Sequence, residues 1–456
     1  MTNTINFQQM YKKQEKEILN DYSTFLRFET ISSDSKYKDS LQKCSLWLKE
    51  YLEKIGFTVT IWKKQGPPII FAEYIGTSSP SLLIYHHYDV QPVEPLEAWK
   101  TSPFDPKCID GKMFARGASD NKGQCMCTLA ALQIYMKSNM NRRGTIKILI
   151  EGEEEVGSSS LLHCIKDKKK ELCSDYMLVY DTSLSDADTP AVTFGMRGIL
   201  GLEATLQTVR QDLHSGAYGN IALNPNRALA NIMHALWNTQ GFISIPGFYE
   251  GVQFPTEKEL RKLTFPNTKQ SLQKLGVTSF VKDSIHLKEE NWLLPSIEIT
   301  SWFGGYTTEG IKTIIPSKAT IKLSCRLALG QCPSRVLKQL KKFLMDHTPK
   351  GASWKIKPTH GYPAYRGCLQ SNFGSFIRNI YSEVFSKKCI NLLSGATIPI
   401  VSELAKVCRE DLLLIGVALL SDDIHAPNEH FQIKQLEKGT CIIGKIFESF
   451  HKLESL

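Results

Sequence analysis

Apolar runs of strand length recur along this chain, and several of them lead straight into histidine or carboxylate. Residues 81–85 run into His86, His87 and Asp89. Residues 146–150 precede Glu153, Glu154 and Glu155, the run YMLVY precedes Asp181, and LLLIGVALL comes shortly before His425. Between the first two runs lies segment 123–136, rich in Ala, Leu and Met, which reads as a crossover helix. Strands alternating with helices build a largely parallel sheet covered on both faces. Polar side chains just past such strands converge at one edge of the sheet, where open α/β folds bind ligands.

The rest of the chain fits around that plan. Segments 8–28 and 41–56 carry helical spacing, the second closing on a C-cap glycine, Gly56. Strand-like Thr58–Trp62 and Ile69–Tyr74 follow. Near Gly198 the pattern changes to alternating two-sided strands (GILGLEATLQTV, SIEITSWFGGYTT, IPSKATIKLSCRLAL), with helices at 226–237 and 333–347. Residues 198–357 therefore read as an inserted α+β domain of antiparallel strands. Segment 371–385 returns to helical spacing and 412–420 to a core strand, so residues 1–197 and 358–456 close a discontinuous first domain. Two domains, or one with a large insertion, suit 456 residues.

Composition removes several function classes. The formal charge of +9 is spread over short lysine groups, at 12–13, 168–170 and 341–342, with no basic face interleaved with aromatics, so no nucleic-acid partner is expected. The longest apolar run is too short to span a bilayer, and the N-terminus shows no apolar signal-peptide core. Twelve dilute, irregularly placed cysteines read as reduced thiols of a cytoplasmic protein. There is no G-x-S-x-G elbow, Walker glycine loop or dinucleotide fingerprint.

What remains is a histidine and carboxylate set. Asp89 shares a strand face with His87 and is placed to accept its second ring N–H, while His86 points to the opposite face. Asp120, in ARGASDNKG, reads equally as a helix N-cap and as a ligand. Three successive glutamates after a buried strand repel one another unless a cation or shared proton intervenes. A dication resolves this, with one glutamate as ligand and its neighbour as a general base. Imidazole and carboxylate without thiolate suit a catalytic zinc or manganese site. His214, in DLHSGAYGN, stands apart inside the insertion.

The ordered motifs HHYDVQP, GASDNKG, EGEEEVGS, YDTS, TFGMRGI, DLHSGAYGN, IIPSKATIKLSCRL and DDIHAPNE closely resemble the M20 metallopeptidases over nearly the whole chain. HYDVQPVEPLEAWKTSPFDP looks like the dipeptidase branch. The resemblance implies a zinc-peptidase-like α/β catalytic domain with an inserted lid and dimerisation domain. It implies two divalent metal ions, zinc first and manganese or cobalt as alternatives, bridged by Asp120. His87 and Asp181 would complete one site, Glu155 and His425 the other. Asp89 would orient His87, and Glu154 would be the general base. His214 would reach the active site of a homodimer partner and stabilise the oxyanion there. Arg326 would bind the substrate carboxylate, with Thr397 in the substrate-binding stretch. A cis peptide is expected at Asp120–Asn121.

One departure stands out. Dipeptidase relatives carry R-x-G-G-S/T-I-P where this chain reads LSGATIP, with Leu393 for the arginine and Ala396 for the second glycine. Asn121 replaces the commoner second aspartate. The expectation is a two-metal dipeptidase. An N-acyl amino acid amidohydrolase is the enzymatic alternative, and a metal-binding scaffold without catalysis the other.

Overall fold

The computed structural model describes residues 4–138, 142–266, 272–273, 276–278 and 286–453. Helix α1 (Phe7–Leu26) starts at Asn6, whose side chain accepts from the Gln9 amide. Helix α2 (Lys38–Lys54) gives way to Gly56 at φ 99°, a left-handed conformation that glycine adopts without a Cβ clash. Tyr11, Ile18, Tyr22 and Phe25 on α1, and Leu41, Cys44, Leu48 and Leu52 on α2, are buried at helical spacing.

Strands β1 (Thr58–Trp62), β2 (Ile69–Tyr74) and β3 (Ser81–His87) come next, and α3 (Lys122–Lys137) connects β3 to β4 (Thr145–Glu151). Helix α3 is apolar almost all round and is buried at every position from Lys122 to Tyr135, as befits a helix enclosed on all sides. Helix α4 (Ser159–Asp167), β5 (Ser174–Tyr180) and β6 (Ala191–Met196) complete the first half.

A second sheet then forms. It consists of β7 (Gly198–Gln207), β8 (Ser296–Phe303), β9 (Lys318–Leu327) and β10 (Ser353–Tyr362), in the order β8-β9-β7-β10, antiparallel throughout. Helices α5 (Pro225–His234) and α6 (Pro333–Asp346) bury Leu229, Ile232, Leu340 and Phe343 on one apolar core with Leu202, Ala204 and Ile321 of the strands. Strand β10 runs on past residue 357, where the sequence pattern placed the boundary, to Tyr362.

The chain returns to the first sheet through α7 (Asn372–Phe385), β11 (Ile390–Ser394), β12 (Cys408–Ile415) and α8 (Ile433–Ser449). The nine-stranded sheet runs β1-β2-β4-β3-β5-β12-β6 and ends on Tyr365–Arg366, with β11 beside β6. Its centre, β4-β3-β5-β12, is parallel, while β1, β2 and the β12-β6 pairing are antiparallel. Period-two alternation splits each central strand between two cores. Leu82, Ile84, Leu178 and Leu413 face the α1, α3 and α8 side, and Leu83, Tyr85, Val179 and Leu414 face α4. The strand expected over 412–420 begins earlier, at Cys408, and stops at Ile415. Gly416 lies against the Thr182 carbonyl, and Leu420 is solvent-exposed. No helix among the described residues is long and apolar enough to cross a membrane, and the twelve cysteines are unpaired.

Candidate dinuclear metal centre

Strands β3, β4, β5 and β12 are mutually parallel, so their C-terminal ends share one edge of the sheet. His87 is the last residue of β3, and Glu154 opens a short turn (Glu154–Val156) past β4. Asp181 follows β5, its amide donating to the Ile415 carbonyl at the end of β12. His425 follows β12 in a loop with positive φ at Asp423, His425 and Asn428, a conformation uncommon for non-glycine residues. Asp120 comes just before α3, with a cis peptide to Asn121. The cap position of α3 is Asn121, and the Asp120 carboxylate turns to the histidines instead, which excludes its N-cap reading.

These five side chains form two groups that overlap at Asp120. His87, Asp120 and Asp181 make one, and Asp120, Glu155 and His425 the other, each offering ligand atoms within 4.8 Å of one another. The two Asp120 oxygens divide between them. Oδ1 lies 3.0 Å from His87 Nε2 and Oδ2 lies 3.0 Å from His425 Nε2. Asp181 Oδ1 is 3.6 Å from His87 Nε2, and Glu155 Oε1 is 3.3 Å from His425 Nε2. His87 is fully buried, whereas the His425 side chain is 51% exposed, so the centre opens to solvent on the His425 side.

The residues fit a pair of divalent cations. Glu155 Oε1 is buried without a hydrogen-bond partner, and among the described residues no lysine or arginine pairs with Asp120, Glu154, Glu155 or Asp181. The donors are all oxygen and imidazole nitrogen, the set that catalytic zinc and manganese accept. Burial raises Asp181 and Glu155 above the usual carboxylate range, and the neighbouring Asp120 adds to both. Burial also pushes Asp120 up, but hydrogen bonds from His425 and His87 outweigh it and hold it below that range. Contacts with Asp120 and then Glu155 lift His425 to about 10 against the effect of burial. The cluster's negative charge thus draws positive charge toward it.

Further residues hold these side chains in place. His87 Nδ1 lies 3.1 Å from the Asp89 carbonyl and 3.3 Å from its carboxylate, so Asp89 meets the ring through backbone as well as side chain. That carboxylate also accepts from Ser32 Oγ at 2.7 Å and from the Glu154 and Glu155 amides at 3.1 Å each. It therefore ties β3 to the glutamate turn. The three glutamates separate by role. Glu153 accepts from the Ser160 amide at the start of α4, Glu155 accepts from Gln91 Nε2 at 2.7 Å, and the Glu154 carboxylate makes no hydrogen bond among the described residues. Burial pushes Glu154 well above the carboxylate range; His87 opposes this, while Asp181, Glu155 and Asp120 reinforce it.

Three supporting residues were given no role by sequence reasoning. Buried Glu429 accepts from the Gly117, Ser119 and Asp120 amides and pairs with Arg116 at 2.9 Å, shaping the turn that presents Asp120. Its only signal was a place four residues after His425. Gln91 stands in the HHYDVQP motif, where nothing marked it apart from its neighbours. Asn121 is not among the metal-binding groups, but its Nδ2 donates to Asp181 Oδ1 at 2.6 Å and its Oδ1 faces His86 Nδ1 at 3.0 Å. Burial lowers His86 to about 3 and keeps the ring neutral, so Nδ1–H donates to Asn121 and Nε2 accepts from Thr128.

Arg326 and Thr397 are brought together, Nη1 donating to Oγ1 at 2.9 Å, while Thr397 donates to the Arg197 carbonyl at 2.6 Å. His214 is not in either metal-binding group. It is exposed on a two-residue strand paired with Ile314–Ile315, and its Nδ1 accepts from the Gly216 amide.

Residues 83–449 match peptidase family M20/M25/M40. The Beta-Ala-His dipeptidase of Rattus norvegicus is 28% identical over 401 residues, which cover 85% of this chain and 81% of that protein. The Cys-Gly metallodipeptidase of Schizosaccharomyces pombe is 26% identical over 420 residues, 86% of this chain and 83% of the relative. Among solved structures, an M20 family metallo-carboxypeptidase from Sulfolobus solfataricus superposes with a TM-score of 0.88 at 29% identity, covering 96% of this chain and 100% of that one. Human carnosine dipeptidase 1 superposes with a TM-score of 0.83 at 25% identity, covering 98% and 99%.

Proposed function

The chain belongs to peptidase family M20/M25/M40, and on that premise we propose that it hydrolyses the peptide bond of dipeptides at a centre of two divalent metal ions. The observation that carries this reading is the division of the two Asp120 oxygens between two ligand groups, with Glu154 uncommitted beside them. His87, Asp120 and Asp181 would hold one ion, and Asp120, Glu155 and His425 the other, with zinc as first choice and manganese or cobalt as alternatives. Such a pair supplies Lewis-acid polarisation of a carbonyl and acidification of water.

The protein's own groups do the rest. Glu154 takes the proton of the attacking water and delivers it to the departing amine, a transfer for which a raised pKa is suited. Asp89 and Asn121 hold His87 and Asp181 in position. Arg326 and Thr397 receive the substrate carboxylate, and the pair is already aligned by its hydrogen bond. The two relatives bearing dipeptidase names favour dipeptides over acyl amino acids.

Residues 198–357 act as lid and dimerisation domain, and His214 serves the site of the partner subunit, where it steadies the oxyanion. Two features support this. His214 has no bond to the ligands of its own chain among the described residues, and edge strand β8 exposes Ile299, Trp302 and Phe303. The unpaired cysteines suit a cytoplasmic enzyme.

The test is a substrate screen with protein reconstituted separately with zinc and manganese. Ala-Leu should be hydrolysed ahead of N-acetyl-methionine and of longer peptides. The reverse order against N-acetyl-methionine would move the assignment to an amidohydrolase. Release of C-terminal residues from longer peptides would move it to a carboxypeptidase. No hydrolysis with metals bound would leave a scaffold.

A further inference from the structure

Beside the metal centre, with Asp181 in its wall, is a cavity of about 290 Å³ to which no role has yet been attached. Its apolar wall comes from four parts of the chain. Met196 ends β6, Phe265 and Trp292 belong to the connection between α5 and β8, Leu393 lies on β11, and Ile398 follows it. Met196, Trp292, Leu393 and Ile398 are buried, and the Phe265 and Trp292 rings meet edge to face at 4.9 Å. Leu420 stands at the mouth, 63% exposed.

The charge of this wall is informative. Asp181 is the sole ionisable side chain in the described lining, and the remaining polar groups are serine, threonine and asparagine. Leu393 occupies the position where the resemblance expects arginine. Segment 394–398 lines the cavity on either side of Thr397, which holds Arg326, so the space adjoins both the metal ligands and the carboxylate pair. Its volume is at the lower limit of small-molecule pockets, ~300 Å³, and suits one side chain better than a larger ligand.

We infer that this cavity is a subsite for an uncharged, mainly apolar substrate side chain next to the scissile bond, with Leu393 as its specificity-determining residue. The inference rests on the dipeptide reading above and extends it to substrate class. An ammonium or carboxylate entering this space loses water and finds, in the described lining, no partner of opposite charge apart from Asp181 for the ammonium, itself placed at the proposed metal site. An aliphatic or aromatic side chain loses little and gains contact with Met196, Leu393 and the two rings. Arginine at 393 would have offered a carboxylate a partner. Leucine withdraws it.

The experiment measures kcat/KM of the metal-loaded enzyme on Leu-Gly, Phe-Gly, Lys-Gly and Asp-Gly, and on the reversed Gly-Xaa set. In one of the two sets the apolar members should exceed both charged members by at least about ten-fold, the lower range for pocket discrimination. Rates within about three-fold across both sets would overturn the inference. Two variants sharpen it. Leu420→Arg places a cation at the exposed mouth without burying it and should narrow the gap against the aspartyl substrate at least about three-fold. Leu393→Val removes one methylene, keeps the fold, and should raise the rate on the Phe substrate relative to the Leu substrate. No shift in either variant would also overturn the inference. Should no dipeptide be hydrolysed at all, the dipeptide reading falls instead. The subsite is then decided by calorimetric binding of leucinamide and phenylalaninamide against lysinamide and aspartic acid amide to the metal-loaded protein. The same ranking upholds the inference, and equal or absent binding overturns it.

Discussion

At the scale of single residues, Asp120 and Glu154 carry the strongest consequences. Each Asp120 oxygen serves a different group, so Asp120→Ala should abolish binding of both ions, while His87→Ala or His425→Ala should impair mainly one. Elemental analysis of the purified variants checks this, and two tightly bound metals on Asp120→Ala would sink the bridging assignment. Glu154→Gln keeps the shape and removes the proton acceptor. Turnover should fall about 10²–10⁴-fold with metal content little changed. Retention of native turnover would hand the role to another group, and Glu153 is a poor substitute because it accepts from the Ser160 amide. Four of the five candidate ligand residues, His87, Glu155, Asp181 and His425, were legible because each comes after an apolar strand of recognisable length, whereas Asp120, just before α3, owed its bridging role to the family resemblance. Glu429 was not, since a carboxylate that accepts three backbone amides looks, in sequence, like any loop glutamate.

At the scale of elements, α7 is tied to β12 by a two-step relay. The Ser371 hydroxyl accepts from the Gly374 amide at the start of α7 and donates to the Asp411 carboxylate on β12. Burial raises Asp411 to about 6, against the pull of the Ser371 hydrogen bond. Between the ordinary aspartate value and 6, the folded state binds more protons than the unfolded one, so this group's contribution to stability falls as pH rises through that window. Above it the buried charge is a constant cost. Asp411→Asn keeps an acceptor for Ser371 and cannot ionise. Its Tm should exceed that of the native protein at pH 7, by the equivalent of about 1–3 kcal/mol, and converge with it near pH 4. A difference that does not change with pH, measured by thermal unfolding from pH 4 to 8, would contradict this. Element ends were the less legible part. The 412–420 run continues in hydrophobicity past Ile415, yet the close approach of Gly416 to the Thr182 backbone ends the strand there.

At the scale of the whole molecule, the proposed dimer makes a distinctive prediction. His214→Ala and Glu154→Gln should each be inactive, and mixing them under conditions of subunit exchange should restore activity, because one site of the heterodimer then receives an intact Glu154 from one chain and an intact His214 from the other. The rescue is scored as a fraction of native activity on the same substrate. If mixing restores nothing, His214 is merely the cap of its own loop, where it accepts from the Gly216 amide. A fully active monomer would defeat the claim as well. Much of the architecture was readable in advance, because period-two alternation, crossover helices and polar residues past strand ends are local patterns that burial imposes on sequence. From these the α/β class, the parallel centre of the sheet and the chemistry of the ligand set all followed. The tertiary structure alone decided what depends on distant segments meeting. It paired β1 and β2 antiparallel at the sheet edge and carried β10 past residue 357. It assigned each Asp120 oxygen to its own histidine, and it separated three adjacent glutamates into helix cap, uncommitted acid and ligand-group member. Those outcomes turn on hydrogen bonds and exclusion of water between residues up to hundreds of positions apart, which no local spacing encodes.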